Sequence, residues 1–575
     1  MRPCLNRLLC LVIGAVLLLC GPASAQVEGT LDRMMGIYDE QFDAAENLLL
    51  VNVSSPGYHT KFPNGVPAHP TRASARYALG LLIRDGKTAE GERDRDRAAR
   101  IIERLVSLQD TRPQSRTRGI WSWYMEEPLE AMSAPDFNWA DFIGASFGQI
   151  LAQHRDKLPA DVVERLSASL RLACEAIIRR NVGPGYTNIH IMGGVVTAVA
   201  GEQLGDEAML RYGRERLERA VTHYQQQGGF NEYNSPTYTM VGLEDTQRGL
   251  MLLRDEASRA ALSSLFRFIW ETIAQSWHPA TQQWAGPHGR AYSELLKPDP
   301  QQYILEQAAD PWVKPRLFVE ALPCPADLRE RFAKLPSDPL VLRRTFVRDD
   351  KGQERTWGTT WFTQDACLGS VNQSETWVQR RPLIGYIQSS KTPAAVLRLR
   401  VLHDGKDFAS GGLRIDQRDN RALAMLLLYQ NKGYWHLSLD RPAGGMFKLG
   451  RLVLRYELTG EDVRVEQREG GKYALIAEPW QAVVQTADGV FNEKPIVWRT
   501  GREGSTVYVE AVLHEGGGEA VALAKLGRTA VVSGVELMRV GESGLTMPVE
   551  VQEMSAEMVR ATWGPMSVGG AVRVR

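Results

Sequence analysis

Residues 162–178 read VVERLSASLRLACEAII. Val162, Leu166, Leu170, Ala173 and Ile177 recur every three or four positions, which puts them on one face of an amphipathic helix. The same spacing extends outward from this stretch, from about Leu31 to Leu335. It predicts helices over 73–83, 98–108 and 142–154 on one side, and over 189–204, 208–226, 243–253 and 260–277 on the other. Gly183-Pro184-Gly185, Gly228-Gly229 and Gly286-Pro287 punctuate the series. Helices joined by short connections form hairpins, and hairpins in series close into a ring or stack into a solenoid. No repeat of fixed period is visible, which disfavours a regular solenoid and favours an (α/α) toroid.

A proline-rich stretch (Pro323, Pro325, Pro336, Pro339) ends the helical pattern. Beyond it, 341–347, 356–362, 395–402, 422–429, 433–439 and 507–513 are short, β-branched or aromatic, and often alternating. Turns such as Asp404-Gly405 and Thr459-Gly460 bound them. They predict an antiparallel β-sandwich running to Arg575. The chain is read as a multidomain α and β protein: a signal peptide at 1–25, a toroid at 26–335 and a β-sandwich at 336–575.

Arg2 and Arg7, the apolar run 8–20 and the small residues Ala23-Ser24-Ala25 give the first segment its signal-peptide character. Export points to a secreted or periplasmic bacterial protein, with no membrane span once the signal is removed. The full chain carries 68 basic and 68 acidic side chains. That balance argues against a nucleic-acid partner, yet allows a locally basic cleft. After the signal, Cys174, Cys324 and Cys367 remain, too few for a disulfide scaffold and without Cys-x-x-Cys spacing for zinc.

Polar and aromatic residues concentrate in three loops between helices. They are Gly185-Tyr186-Thr187-Asn188-Ile189-His190, the segment 228–238 (GGFNEYNSPTY) and the segment 284–292 (WAGPHGRAY). Loops on a rigid scaffold are where function usually sits. Bland readings stand beside the functional ones. Asn188 could cap its helix and His190 could be a buried, satisfied histidine. Tyr238 could pack in the core, and Arg290 could pair with Glu294. A fourth segment, Trp121-Ser122-Trp123-Tyr124 with Asn138-Trp139, offers rings on which sugars stack, or else core aromatics. Gln379-Arg380-Arg381 is either a charge cluster in solvent or a reach of the β domain toward an anionic sugar.

An Asn and a His opening one helix, followed by a Gly-Phe loop ending in Tyr, resembles the toroidal polysaccharide lyases of the alginate, hyaluronate/chondroitin and heparin lyase groups. The order of toroid and β domain is similar too. The resemblance implies β-elimination on an anionic, uronic-acid-containing polysaccharide. It implies Asn188 as neutraliser of the uronate, with Arg290 as helper. It implies His190 as base, with His288 in reserve, and Tyr238 as acid or as acid and base, with Tyr292 in reserve. Glu232, Asn234, Tyr292, Trp123 and Trp139 are the expected substrate-binding residues. Elimination needs no redox cofactor. Some toroidal lyases hold a structural metal ion in the β domain, and His403-Asp404 and His436 are the places to look for one.

Two rivals remain open. An inverting glycoside hydrolase on a toroid needs two carboxylates across the bond, and Glu232 with Glu244 or Asp245 could serve, as could Asp136 and Asp141. A non-catalytic glycan-binding protein would use the same loops without chemistry. His-Glu-x-x-His and a glycine-rich phosphate loop are absent from the sequence.

Overall fold

A computed structural model describes residues 29–54, 59–84, 91–309, 317–429 and 446–574. The expected signal peptide at 1–25, the expected strand at 433–439 and His436 lie outside the described residues. The fold class is the one expected: a helical N-terminal part followed by an antiparallel β part.

After α1 (Gly29–Gln41), the helices form two layers. The inner layer is α2 (Thr71–Arg84), α4 (Trp139–Gln153), α6 (Thr187–Leu204) and α8 (Tyr238–Leu252). The outer layer is α3 (Gly91–Leu108), α5 (Ala160–Arg180), α7 (Glu207–Gln227) and α9 (Glu256–Ser276). Each inner helix packs on the next inner one and on its outer partner, giving an arc of helical hairpins. The layers differ in sequence as their environments require. Helix α5 buries one face, through Val162, Leu166, Leu170, Ala173 and Ile177. Helix α6 is buried continuously from Thr187 to Gly201, so its sequence is apolar all round.

Helices α6 and α7 touch backbone to backbone. A Cβ on Gly201 would lie 2.4 Å from the Leu210 nitrogen, and one on Gly213 2.5 Å from the Ala198 nitrogen. Glycine at both crossings is what brings the C-terminal half of α6 this close to α7. The pentapeptide Gly144-Ala145-Ser146-Phe147-Gly148 has the spacing of a serine nucleophile elbow, but it lies in the middle of α4. An elbow needs a strand-to-helix turn, so Ser146 is a buried helical residue.

The last short helix, α10 (Pro298–Ala309) apart, is α11 (Glu330–Ala333), and the first long strand begins at Leu340. A nine-stranded and a seven-stranded antiparallel sheet then pack face to face. Leu397 and Leu399 of one sheet share a core with Leu413, Ala424 and Leu426 of the other. The alternate residues Leu423, Met425 and Leu427 point the opposite way, onto a three-stranded sheet built from residues 550–571. Burial of both faces explains why 422–428 is a continuous apolar run.

The three cysteines Cys174, Cys324 and Cys367 are free and buried. No helix among the described residues is long and apolar enough to cross a membrane. His403 Nε2 lies 2.9 Å from the Lys448 carbonyl and 3.2 Å from Asp404, and no group of three potential metal ligands occurs among the described residues.

Asp141 sits wholly buried in α4, with Oδ1 lacking a hydrogen-bond partner. Burial pushes its carboxyl up to about 7, against the opposing pull of Arg216 and Arg180. The folded state therefore holds this proton between pH about 4 and 7, where the unfolded chain releases it. Its contribution is fully present below the unfolded value and is lost as pH rises to the folded one. Relative to the wild type, Asp141→Asn should gain stability between pH 5 and pH 8 by about 2–3 kcal/mol in urea unfolding. A constant difference across that range would refute the assignment.

Candidate active site

The three polar loops meet at one end of the arc, above a cleft of about 920 Å³. Its floor starts at the N-terminus of α6. Helix α5 ends at Asn181, which is left-handed at φ 43°, and Tyr186 precedes the first turn of α6. No side chain of the segment itself caps α6, and Asn188 lies inside the helix rather than at its cap. The cap comes from the second loop. Glu232 Oε2 accepts both the Asn188 backbone N–H at 3.0 Å and the Asn188 Nδ2 at 2.6 Å. A carboxylate at a helix N-terminus meets unpaired N–H groups and the positive end of the helix dipole.

The other Glu232 oxygen faces Arg290 Nη1 of the third loop at 3.3 Å. Burial pushes the Glu232 carboxyl above its ordinary range, while Arg290 and the Asn188 donors oppose that rise. Arg290 does not pair with Glu294, which is instead held by Arg381 and Arg398 of the β domain. It donates to Gln379 Oε1 at 2.5 Å and to the Tyr238 hydroxyl at 3.1 Å. The Tyr238 hydroxyl also lies 2.6 Å from that of Tyr292. Burial drives the Tyr238 phenol well above its usual range, with Arg290 pulling the other way. Tyr238 is thus a neutral proton donor at neutral pH.

The cleft also brings in Trp123 and Trp139. Their rings stack at 4.9 Å with an interplanar angle of 19°. Trp123 Nε1 donates to Asp136 and Trp139 Nε1 to Thr71, so both indoles are fixed. Of the expected residues, Asn188, Tyr238, Arg290, Tyr292, Glu232, Trp123 and Trp139 line this cleft.

Three others do not. His190 is buried, with Nδ1 2.7 Å from the Val182 carbonyl and Nε2 2.9 Å from the Arg216 carbonyl. Burial pushes it down to about 4. It ties α6 to its neighbours rather than facing the cleft. His288 is buried under the third loop, where Nδ1–H donates to the Asn234 carbonyl at 2.8 Å. Burial pushes it down to about 3. Asn234 is the hub of that loop. Its Nδ2 donates to the Ala285 and Pro287 carbonyls, and its Oδ1 accepts from Ser276 and Trp284. The left-handed backbone of Asn234, φ 45°, aims the amide inward at these partners.

The carboxylates suggested for hydrolysis are also scattered. Asp141 is buried in α4. Glu244 and Asp245 both bind Arg248 inside the arc. Only Asp136 and Glu232 of that group line the cleft.

Sequence reasoning did not single out His59, Arg72 or Trp377 as lining residues, although all three line the cleft. His59 comes from the segment before α2. Its Nδ1 lies 2.8 Å from the Ala134 carbonyl and its Nε2 3.8 Å from Asp136, with the ring tilted on Trp123. Arg72 lies over Phe142 at 3.4 Å. Trp377 stands two residues before Gln379-Arg380, and that aromatic–cation cluster was the one signal available.

Residues 29–303 match the model of a family described as a domain of unknown function (DUF8769). No curated protein matches the chain. Among solved structures it is similar to heparinase III, at 11% identity and a TM-score of 0.39, covering 95% of this chain and 91% of that one. It is also similar to a heparinase III gene product with methylated lysines, at 9% identity and a TM-score of 0.36, covering 87% and 83%.

Replacing Glu232 with Ala leaves Arg290 without its carboxylate and the first turn of α6 without its cap. The expected loss is about 3 kcal/mol of stability in denaturant unfolding. A change under about 0.5 kcal/mol, the range of an ordinary surface substitution, would show that the carboxylate is not the link between these loops.

Proposed function

We propose that this protein is an exported polysaccharide lyase that cleaves a uronic-acid-containing polysaccharide by β-elimination. In this reading residues 26–335 form the catalytic unit, and residues 336–575 supply one wall of its cleft. The observation that carries the proposal is the Tyr238 hydroxyl, held between Arg290 and Tyr292 beside the amide of Asn188.

Elimination removes the proton at C5 of a uronate, next to its carboxylate, and expels the oxygen at C4. Charge builds on the carboxylate as the C5 proton leaves. Fixed donors aimed at that charge lower the barrier because they need no reorganisation. Asn188 keeps one Nδ2 hydrogen after binding Glu232, and Arg290 adds a cation. The C5–H electrons form the C4–C5 double bond, the C4–O bond breaks, and the leaving oxygen takes a proton. Tyr238 is the proposed donor of that proton, and Tyr292, half exposed, resupplies it from solvent.

His59 is the proposed base, in place of the buried His190 and His288. A carbonyl can only accept, so the Ala134 contact puts a proton on Nδ1, and Nε2, the nitrogen turned toward Asp136, is the proposed acceptor of the C5 proton. Asp136, near that nitrogen, would stabilise the imidazolium formed on proton uptake. The hydrolase reading loses ground because Glu232 is engaged by Asn188 and Arg290, while Glu244 and Asp245 are turned toward Arg248.

The test is an ultraviolet assay on a panel of uronic-acid polysaccharides, since the new double bond is conjugated to the carboxylate. Tyr238→Phe should lower kcat by about 10²–10⁴-fold, as expected for loss of a positioned acid. Tyr292→Phe should cost less and should leave KM nearly unchanged. New reducing ends without absorbance would replace the lyase by a hydrolase, and binding without any cleavage would leave a glycan-binding protein.

A further inference from the structure

The wall of the cleft opposite α6 belongs to the β domain. The third loop is laced to residues 377–382 as a short antiparallel ladder. His288 N–H donates to the Arg381 carbonyl at 3.1 Å, Arg381 N–H to the His288 carbonyl at 3.0 Å, and Ala291 N–H to the Gln379 carbonyl at 2.8 Å. Arg380 N–H closes a turn onto the Trp377 carbonyl at 2.8 Å. The backbone that carries Arg380 is therefore fixed relative to Arg290.

Arg380 lines the cleft, and its guanidinium lies 5.6 Å from the ring centres of both Tyr233 and Trp377. Arg290 lies over the same Trp377 indole at 5.3 Å. Two cations thus flank one ring. Their electrostatic situations differ. Arg290 has Glu232 for a counter-charge. Arg380 forms no ion pair with any described residue, and its Nε is buried without a hydrogen-bond partner. Glu232 acts on Arg380 only from beyond ion-pair distance, as the least of its attractions, and its charge is already divided between Arg290 and Asn188. A partly desolvated guanidinium beside a second cation is unfavourable unless an anion arrives to meet it.

We propose that Arg380 binds a second anionic group of the substrate, a carboxylate or a sulfate, on a sugar next to the one gripped by Asn188 and Arg290. Trp377 and Tyr233 flank the guanidinium, leaving its Nη donors for a planar or tetrahedral oxyanion. The inference rests on the saccharide reading of the cleft but not on elimination. It makes the β domain the reader of charge pattern and the helical part the site of chemistry.

The experiment is calorimetric titration of the full-length chain carrying Tyr238→Phe, with and without Arg380→Gln. Gln keeps donors and most of the stem while removing the charge. Three tetrasaccharide probes are compared: contiguous uronates, uronates alternating with a neutral sugar, and the alternating backbone with sulfate on the neutral sugar. Before the second change, contiguous uronate or sulfate should bind about tenfold or more tighter than the alternating probe, the size of one charge-assisted contact. The contiguous and sulfated arms tell carboxylate from sulfate. Arg380→Gln should erase that preference and move the alternating probe less than about twofold, which is under 0.5 kcal/mol. Equal weakening of all three probes, no weakening of any, or no preference to begin with would overturn the proposal. Preserved charge discrimination in a protein that yields no unsaturated product would remove the lyase reading and leave Arg380 in its role.

Discussion

The cleft depends on one buried carboxylate. Glu232 is contributed by the second loop, caps α6 through Asn188 and faces Arg290 of the third loop. Arg290 in turn touches Tyr238 and the β-domain residue Gln379. Four segments far apart in sequence are thus joined through two side chains. Such an arrangement is costly to break at one point, because each loss leaves another charge or donor buried and unpaired. It also explains why the amide of Asn188 has a defined orientation. The carboxylate accepts Nδ2, so the amide oxygen and the remaining N–H are turned elsewhere.

The β domain is part of the site and does more than flank it. Thr360 donates to the Gly286 carbonyl, and a Cβ on Gly369 would fall 2.0 Å from that same oxygen. The nine-stranded sheet therefore touches the third loop at its backbone, and only glycine fits at that contact. Tyr386 donates to the Glu294 carbonyl at 2.6 Å, and Arg381 and Arg398 hold its carboxylate. These contacts fix the third loop just before and after Arg290 and Tyr292. The cleft is composite, and separating the two parts would remove Trp377, Gln379 and Arg380 from it.

Much of this was legible in the sequence because the relevant signal was local. The outer helices announce themselves through one-sided apolar spacing, as in 162–178. Helix α6 was legible from its continuous apolar run, and its polar opening marked the cleft. Side-chain direction was not legible. Asn188 and His190 are two positions apart on one helix, about 200° around its axis, so one faces the cleft and the other faces α7. Asn234 and Glu232 stand two residues apart in a loop, yet the positive φ at Asn234 turns its amide into the scaffold. His59 carried no local signal at all. It lies between α1 and α2 and reaches the cleft only because its segment packs against Trp123 and Asp136.

A chain with equal numbers of basic and acidic residues can still present a cationic cleft, because neutrality is a sum over the whole surface. Here the partition is specific. Arg248 is spent on Glu244 and Asp245, and Arg398 with Arg381 on Glu294. These pairs hold the scaffold and project little field. Of the acids near the cleft, Glu232 is covered by Asn188 and Arg290, and Asp136 receives Trp123 Nε1 and the Asn138 N–H. Arg72 is stacked on aromatic rings, and burial pushes it down to about 10 without discharging it at neutral pH. Three guanidinium groups, Arg72, Arg290 and Arg380, thus face two carboxylates, Asp136 and Glu232, and the cleft lining keeps a net positive charge between aromatic walls. Aromatic faces suit the apolar side of a sugar ring, and guanidinium groups suit its carboxylate or sulfate. Both preferences agree with the proposed ligand class, a saccharide that carries negative charge.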